Sequence, residues 1–339
     1  MADSEHPKPT IIVTKDDPGS ELGPQIDPES IPAIVADAGA GARFAWEEFI
    51  YGTISNPHTR EAYLRNIRSF FKWVDEAETG IELREISPKM VRRYLDEHSG
   101  AIATKKQHLS ALRHFFDVCV TRHAMILNPA LSVRGERHFV IEGKTPEISI
   151  KECRKLLKSI DIETLIGRRD RAIIYTLIYT AARIGAVANL KIGDVYHSSD
   201  QWMFHFDEKG GKSREIPMRH DMQKVLFDYL TEAGIDLESE DKKTPLFRSM
   251  LRKEGVFSGN SVTRNDLSRM LKRRFRAAKL SDRYSGHSFR VTTITDLLEQ
   301  DVPLEDVQRL AGHADPRTTR LYDRRKKKVT RNIVERISV

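Results

Sequence analysis

The sequence predicts a mainly α-helical protein with one small antiparallel β-sheet, folded as two bodies. Three observations carry that prediction. Apolar residues recur at three- and four-residue steps from Phe44 to Val120, a stretch bearing Gly135, Gly143 and Pro146 interrupts them, and an aromatic-rich strand pattern follows near Gln201. A chain of 339 residues also allows about two domains, each able to bury its own core.

Residues 1–41 hold Pro7, Pro9, Pro18, Pro24, Pro28 and Pro32 among acids, so they read as a disordered acidic tail. Residues 42–131 read as one helical body. Phe44, Trp46, Phe49 and Ile50 begin a first amphipathic run, and Tyr63, Leu64, Ile67, Phe70, Phe71 and Val74 mark a second after Asn56-Pro57. Ser87-Pro88 opens a third with Val91, Tyr94 and Leu95, and Thr104 to Val120 gives a fourth. Asn128-Pro129 closes the region, and residues 132–146 read as a linker.

The second body spans 147–328. Ser149 to Ser159 and Arg169 to Thr180 carry helical patterns. Gln201 to Asp207, with Trp202, Phe204 and Phe206, and Ser213 to Met218 form a hairpin about Gly210-Gly211, with Asp194 to Tyr196 as a third strand. This is the only clear β signal. Met222 to Leu230, Ser261 to Ala278 and the run from His287 read as helices. Val302 to Val307 opens another, which Gly312 is placed to end in a left-handed conformation, and Asp315-Pro316 can cap and start the next. Val329, Ile333, Val334 and Ile337 give residues 329–339 one apolar helical face, which docks either on its own domain or on a neighbour.

Charge narrows the partner. The net charge is +7, but residues 1–40 hold eight acids against Lys8 and Lys15, leaving 54 bases and 41 acids, a net +13, in residues 41–339. A basic body suits a polyanion, with nucleic acid first. Arg60, Arg65, Lys105, Lys106 and Arg113 in the helical body, and Arg264, Lys272 and Arg273 later, are spaced as phosphate-contacting side chains. No apolar run approaches the length of a membrane span, and the start Met-Ala-Asp-Ser-Glu lacks a secretory pattern, so a cytoplasmic location is expected. Cys119 and Cys153 lack the spacing of a zinc site or a disulfide framework.

Several polar residues invite chemistry. Arg183 follows a nearly uncharged helix, so its stem is expected to be partly buried and its guanidinium to meet either a carboxylate or a substrate phosphate. Lys209 and Lys212 sit at the hairpin tip. His287 and Arg290 share a helix face near a helix start, where outward N–H groups suit an anion. His313 follows Gly312, and Tyr322 lies nine residues on, either a core aromatic or a nucleophile.

The order Arg183, Lys209 on a hairpin, His287-x-x-Arg290, Gly312-His313 and Tyr322 resembles the tyrosine recombinases, the phage-integrase family. Lys-Gly-Gly-Lys-Ser-Arg-Glu-Ile-Pro and Leu-Ala-Gly-His…Thr-Thr…Tyr resemble its pattern, and residues 42–131 are similar to its core-binding domain. One departure is Ala186, where the family usually has an acid three residues after the arginine.

The resemblance implies a two-domain clamp, an N-terminal helical core-binding (SAM-like) domain and a C-terminal α+β catalytic domain, around double-stranded DNA. Tyr322 would attack the scissile phosphorus, giving a 3′-phosphotyrosyl link and a free 5′-hydroxyl. Arg183 and Arg290 would hold the non-bridging oxygens, Lys209 (or Lys212 from the same turn) would protonate the leaving oxygen, His287 would assist at the tyrosine, and His313 would bond a phosphate oxygen. No metal, ATP or other cofactor is expected. The implied assembly is a homotetramer, a dimer of dimers on paired inverted half-sites near the nucleoid, with accessory proteins as further partners. A mobile-element integrase or excisionase is the role expected first, with an Xer-like resolvase of chromosome or plasmid dimers next. A non-catalytic DNA-binding regulator and a type IB topoisomerase are the other readings.

Overall fold

The computed structural model describes residues 31–136, 145–208, 212–251 and 255–322. It divides into two compact bodies on either side of residue 140.

The first body is helical throughout. Helix α1 (Ala33–Asp37) leads into α2 (Ala40–Glu47), which continues as a π-helical turn, Glu48–Gly52. Then come α3 (Pro57–Ala77), α4 (Pro88–Glu97) and α5 (Ile102–Thr121). Local chemistry sets the starts. The Asn56 carboxamide accepts from the Thr59 N–H at 3.1 Å and Pro57 occupies the first turn; Pro88 does the same for α4. The repeating apolar positions converge on a core of Trp46, Phe49, Phe70, Phe71, Phe115 and Phe116, packed largely edge to face.

Two expected boundaries move. The tail does not extend to residue 41, because Ile34 and Val35 bury in this core and stabilise α1 despite the surrounding prolines. Nor does the linker begin at 132: Val133 is buried in the same core, and Arg113 donates to the carbonyls of Ala130 at 3.1 Å and Val133 at 2.5 Å, fastening the exit strand.

The second body begins with α6 (Ile150–Lys158), α7 (Leu165–Thr180) and the short α8 (Ile184–Ala188). A three-stranded antiparallel sheet follows, β1 (Val195–Ser198), β2 (Gln201–Glu208) and β3 (Lys212–Pro217) in that order. Its register pairs Phe204 with Ile216 and Phe206 with Arg214, so these four share the face turned to the core. Helix α9 (His220–Glu232) leads to a second hairpin, β4 (Arg248–Leu251) and β5 (Val256–Ser261). This hairpin contradicts the expectation of a single β unit. Its strands are short, bulged between Arg248 and Met250, and weak in β-branched residues, which is why the pattern hid it.

Helices α10 (Arg264–Ala277), α11 (Gly286–Glu299), α12 (Leu304–Ala311) and α13 (Pro316–Arg320) complete the described chain. Gly312 adopts φ 63°, ending α12 as expected, and the Asp315 carboxylate caps α13 by accepting from the Arg317 N–H at 2.8 Å. One large core joins α6 to α11 and both hairpins, and a smaller cluster of Val291, Ile294, Leu298, Val307, Ala311 and Tyr322 sits between α11 and α12. No described helix is long and apolar enough to cross a membrane.

Candidate active site

Four elements of the second body end close together. Helix α7 stops at Thr180, Ala181 turns left-handed with φ 48°, and Arg183 follows as the cap of α8. A left-handed alanine is unfavourable in itself, so the surroundings must hold it. Arg290, on α11 and only 1% exposed, donates from Nη1 to the Ala181 carbonyl at 2.6 Å and from Nη2 to the Ala311 carbonyl at 2.5 Å. One guanidinium therefore braces the turn that carries Arg183 and the end of the helix that precedes His313.

Tyr322 closes the group. It lies just past α13, 8% exposed, with its hydroxyl 3.0 Å from Nε2 of His287, the second residue of α11. His313, 7% exposed, stacks on its other side with the rings 5.7 Å apart and nearly parallel at 9°. Nδ1 of His313 lies 2.9 Å from the buried Thr319 hydroxyl, and Gln308 donates to the His313 carbonyl at 2.9 Å. The Thr295 hydroxyl meets the Tyr322 carbonyl at 3.4 Å.

Burial and nearby charge shift both imidazoles toward the neutral form. Burial pushes His313 down to about 3, with Arg290, Arg183, His287 and Arg214 adding in the same direction. His287 exposes much of its surface, yet loss of solvation around its ring, then the charges of Arg290 and Arg183, also lower it. A neutral His287 can accept the Tyr322 proton at Nε2. His313, if Thr319 donates to its Nδ1, presents Nε2–H as a donor. The pair of arginines that lowers both histidines would also attract an anion. The arrangement is a phenol on an unprotonated base, beside positive charge, which suits attack on a phosphodiester.

Of the six predicted catalytic residues, the structure brings His287, Arg290, His313 and Tyr322 into contact or near contact, with Arg183 close enough to act on both histidines. Arg183 is an exposed residue between the end of α7 and the start of α8. One expectation changes: Arg290 is not an open fork, since two of its nitrogens hold carbonyls. Lys209 lies outside the described residues; Lys212 opens β3. Ala186 lines a hollow of about 340 Å³ with Asn189, Lys191 and His205, away from Tyr322.

The proposed phosphate contacts divide likewise. Arg65, Lys106, Arg264 and Arg273 are exposed and Lys105 is half-buried. Arg60 donates to the Ile54 carbonyl at 2.9 Å, Arg113 is spent on the exit strand, and Lys272 donates to the Asp282 carbonyl, so their local geometry favours holding the chain over reaching out. Sequence reasoning missed Arg214, Gln308, Thr295 and Thr319. Arg214 had a signal, because strand alternation puts it on the same face as Ile216.

The chain matches the Phage integrase family over residues 147–328 and the family's N-terminal SAM-like domain over residues 46–123. It is 27% identical over 273 residues to tyrosine recombinase XerD of Listeria monocytogenes serotype 4b (strain F2365), covering 78% of this chain and 87% of that protein. Tyrosine recombinase XerC of Pelobacter propionicus is 27% identical over 272 residues, covering 79% and 84%. Among solved structures, XerH site-specific recombinase bound to difH substrate aligns with a TM-score of 0.61 at 22% identity over 81% of this chain and 77% of that one. A lambda integrase tetramer bound to a Holliday junction aligns with a TM-score of 0.60 at 17% identity, over 86% and 79%. These structures share the fold: a SAM-like helical domain followed by a helical catalytic domain with small antiparallel sheets.

Proposed function

The chain belongs to the phage integrase family and, as a tyrosine-type site-specific recombinase, breaks and rejoins DNA; from that premise we propose that Tyr322 is its nucleophile. The observation that carries the proposal is the 3.0 Å contact between the Tyr322 hydroxyl and Nε2 of a His287 whose pKa is lowered. As Tyr322 bonds to the scissile phosphorus, His287 takes its proton. The bond to the 5′ oxygen breaks, and the 3′ end remains on the protein as a phosphotyrosine ester, which stores the energy for rejoining. Arg183, an exposed residue at the start of α8, binds a non-bridging oxygen. Arg290 supplies charge from behind while bracing the turns, and His313 donates from Nε2. Lys209 is proposed as the acid that protonates the 5′ oxygen, with Lys212 as the alternative.

Tyr322→Phe tests the core of this reading. The variant keeps the ring that packs on His313 and lacks only the oxygen. On a nicked suicide substrate it should bind as wild type and form no covalent protein–DNA adduct. A normal yield of adduct would move the nucleophile elsewhere.

For the biological role we propose a mobile-element integrase or excisionase acting on paired inverted half-sites in double-stranded DNA, as a homotetramer, in the cytoplasm at the nucleoid. The lambda integrase tetramer on a Holliday junction supports that assembly by analogy of fold. The XerD and XerC relatives favour a second reading, resolution of chromosome or plasmid dimers. Repeats flanking the gene that recombine with an unlinked site when the protein is supplied would support integration; recombination confined to two copies of one chromosomal site would support resolution. Residues 329–339 are proposed to contact the neighbouring protomer.

A further inference from the structure

Helix α7 ends in a way that backbone bonds alone do not explain. The carbonyls of a helix's last turn lack partners within the helix and must find them elsewhere. Here side chains from two other elements supply partners for Ile178 and Thr180, and for Ala181 just beyond. Thr293 on α11 donates to the Ile178 carbonyl at 2.6 Å, Arg214 on β3 donates from Nη1 to the Thr180 carbonyl at 3.1 Å, and Arg290 takes the Ala181 carbonyl at 2.6 Å. The Thr180 hydroxyl meets the Ala182 N–H at 3.2 Å. The turn between the helix and Arg183 is thus pinned at Thr180, Ala181 and Ala182, and the Thr180 and Ala181 carbonyls are held by guanidinium groups, whose charge suits a helix C-terminus.

Arg214 is built for this contact. Its partner across the strands is Phe206, and its guanidinium lies over that ring at 5.4 Å, which fixes the plane of the donor. It is the one contact in this set that comes from the β-sheet; the others come from α11 or from the turn itself.

We propose that Arg214 is a positioning residue for strand cleavage: by holding the Thr180 carbonyl it fixes the left-handed turn at Ala181 and so aims Arg183 at the scissile phosphate. The proposal rests on the reading of Arg183 as the ligand of a non-bridging oxygen. It differs from a role in the fold, because its effect depends on the charge of the phosphate. When a methyl group replaces a non-bridging oxygen, the phosphorus centre is neutral and a well-aimed Arg183 matters less.

The experiment compares single-turnover cleavage of two full-length sites, one with the natural scissile phosphodiester and one with a scissile methylphosphonate, by wild type, Arg214→Ala, Arg214→Lys and Arg183→Ala. On the natural site Arg214→Ala should cleave about 10- to 100-fold more slowly than wild type, with half-site affinity unchanged within about threefold. On the methylphosphonate the deficit relative to wild type should shrink to a few fold. Arg214→Lys keeps a donor for the Thr180 carbonyl and should recover most of the rate; if Arg214→Ala does not fold, a folded Arg214→Met, which keeps an unbranched stem and no donor, carries the same comparison. Equal deficits on both sites, or wild-type cleavage by a folded Arg214→Ala or Arg214→Met, overturn the proposal. Arg183→Ala separates the two ideas. If its own deficit shrinks on the methylphosphonate while that of Arg214→Ala does not, only Arg214's role falls; if its deficit does not shrink, the reading of Arg183 falls and this inference with it.

Discussion

A protonated His287 could not take the Tyr322 proton, so the direction of its pKa shift bears directly on when the enzyme works. Loss of solvation and the charges of Arg290 and Arg183 lower it from the ordinary value near 6.5. The acid limb of cleavage should therefore lie below about pH 6.5, with the rate flat from there to neutrality. Single-turnover rates from pH 5 to 8 would check this, and a midpoint above pH 7 would mean that some other group is the base. Arg183→Ala removes one source of the shift, so its acid limb should move toward higher pH. At this scale the sequence was most informative about identity and least about posture. The order of Arg183, His287, Arg290, His313 and Tyr322 was legible, because its spacing and neighbouring motifs follow the pattern of the phage-integrase family. That Arg290 donates to backbone carbonyls was not, since this depends on where α7 and α12 stop.

Between elements, a buried ion-pair network ties α7 to α10, apart from the site. Asp170 on α7 is fully buried and takes Arg169 at 2.8 Å on one oxygen and Arg274 of α10 at 2.7 Å on the other. Arg169 also donates to the Arg248 carbonyl, and Arg248 pairs with Glu240 at 2.8 Å. The α7, α10 and β4 elements are thereby tied by charges that water cannot screen. Removing the shared carboxylate leaves two guanidinium groups facing each other, so Asp170→Asn should destabilise the second body by roughly 3–5 kcal/mol. Asp266→Asn, which loses the exposed pair with Arg269 and weakens the bonds the Asp266 carboxylate accepts from the Thr263 N–H and hydroxyl, should cost about 1–2 kcal/mol. Urea unfolding of both variants tests the contrast, and equal losses would refute it. Element by element, legibility followed periodicity. The long helices α3 and α5 and the β2–β3 hairpin declare themselves by repeated apolar spacing, whereas α1, α8 and the strands β4 and β5 span six residues or fewer each and are held by tertiary packing that no short window reveals.

On the scale of the whole chain, charge is divided as sharply as structure. Seven of the eight acids in residues 1–40 precede residue 31, with Lys8 and Lys15 the only bases there, so this leading segment carries −5 against +12 for residues 31–339. Acids joined covalently to a basic body lower its positive potential wherever they come within roughly a Debye length of it, about 10 Å at 0.1 M salt. Removing residues 1–30 leaves α1 whole, since that helix begins at Ala33, and should leave the melting of the first body unchanged. The truncated protein should bind random-sequence duplex about three- to tenfold more tightly than the full chain at 50 mM salt, and the two should converge by 300 mM as counterions screen the tail. Discrimination between target and random duplex should fall at low salt, because the gain is in backbone attraction and carries no sequence information. Equal affinities at every salt concentration would show that the acids are kept from the DNA path. A gain that persists at high salt would point to steric exclusion by the segment in place of its charge.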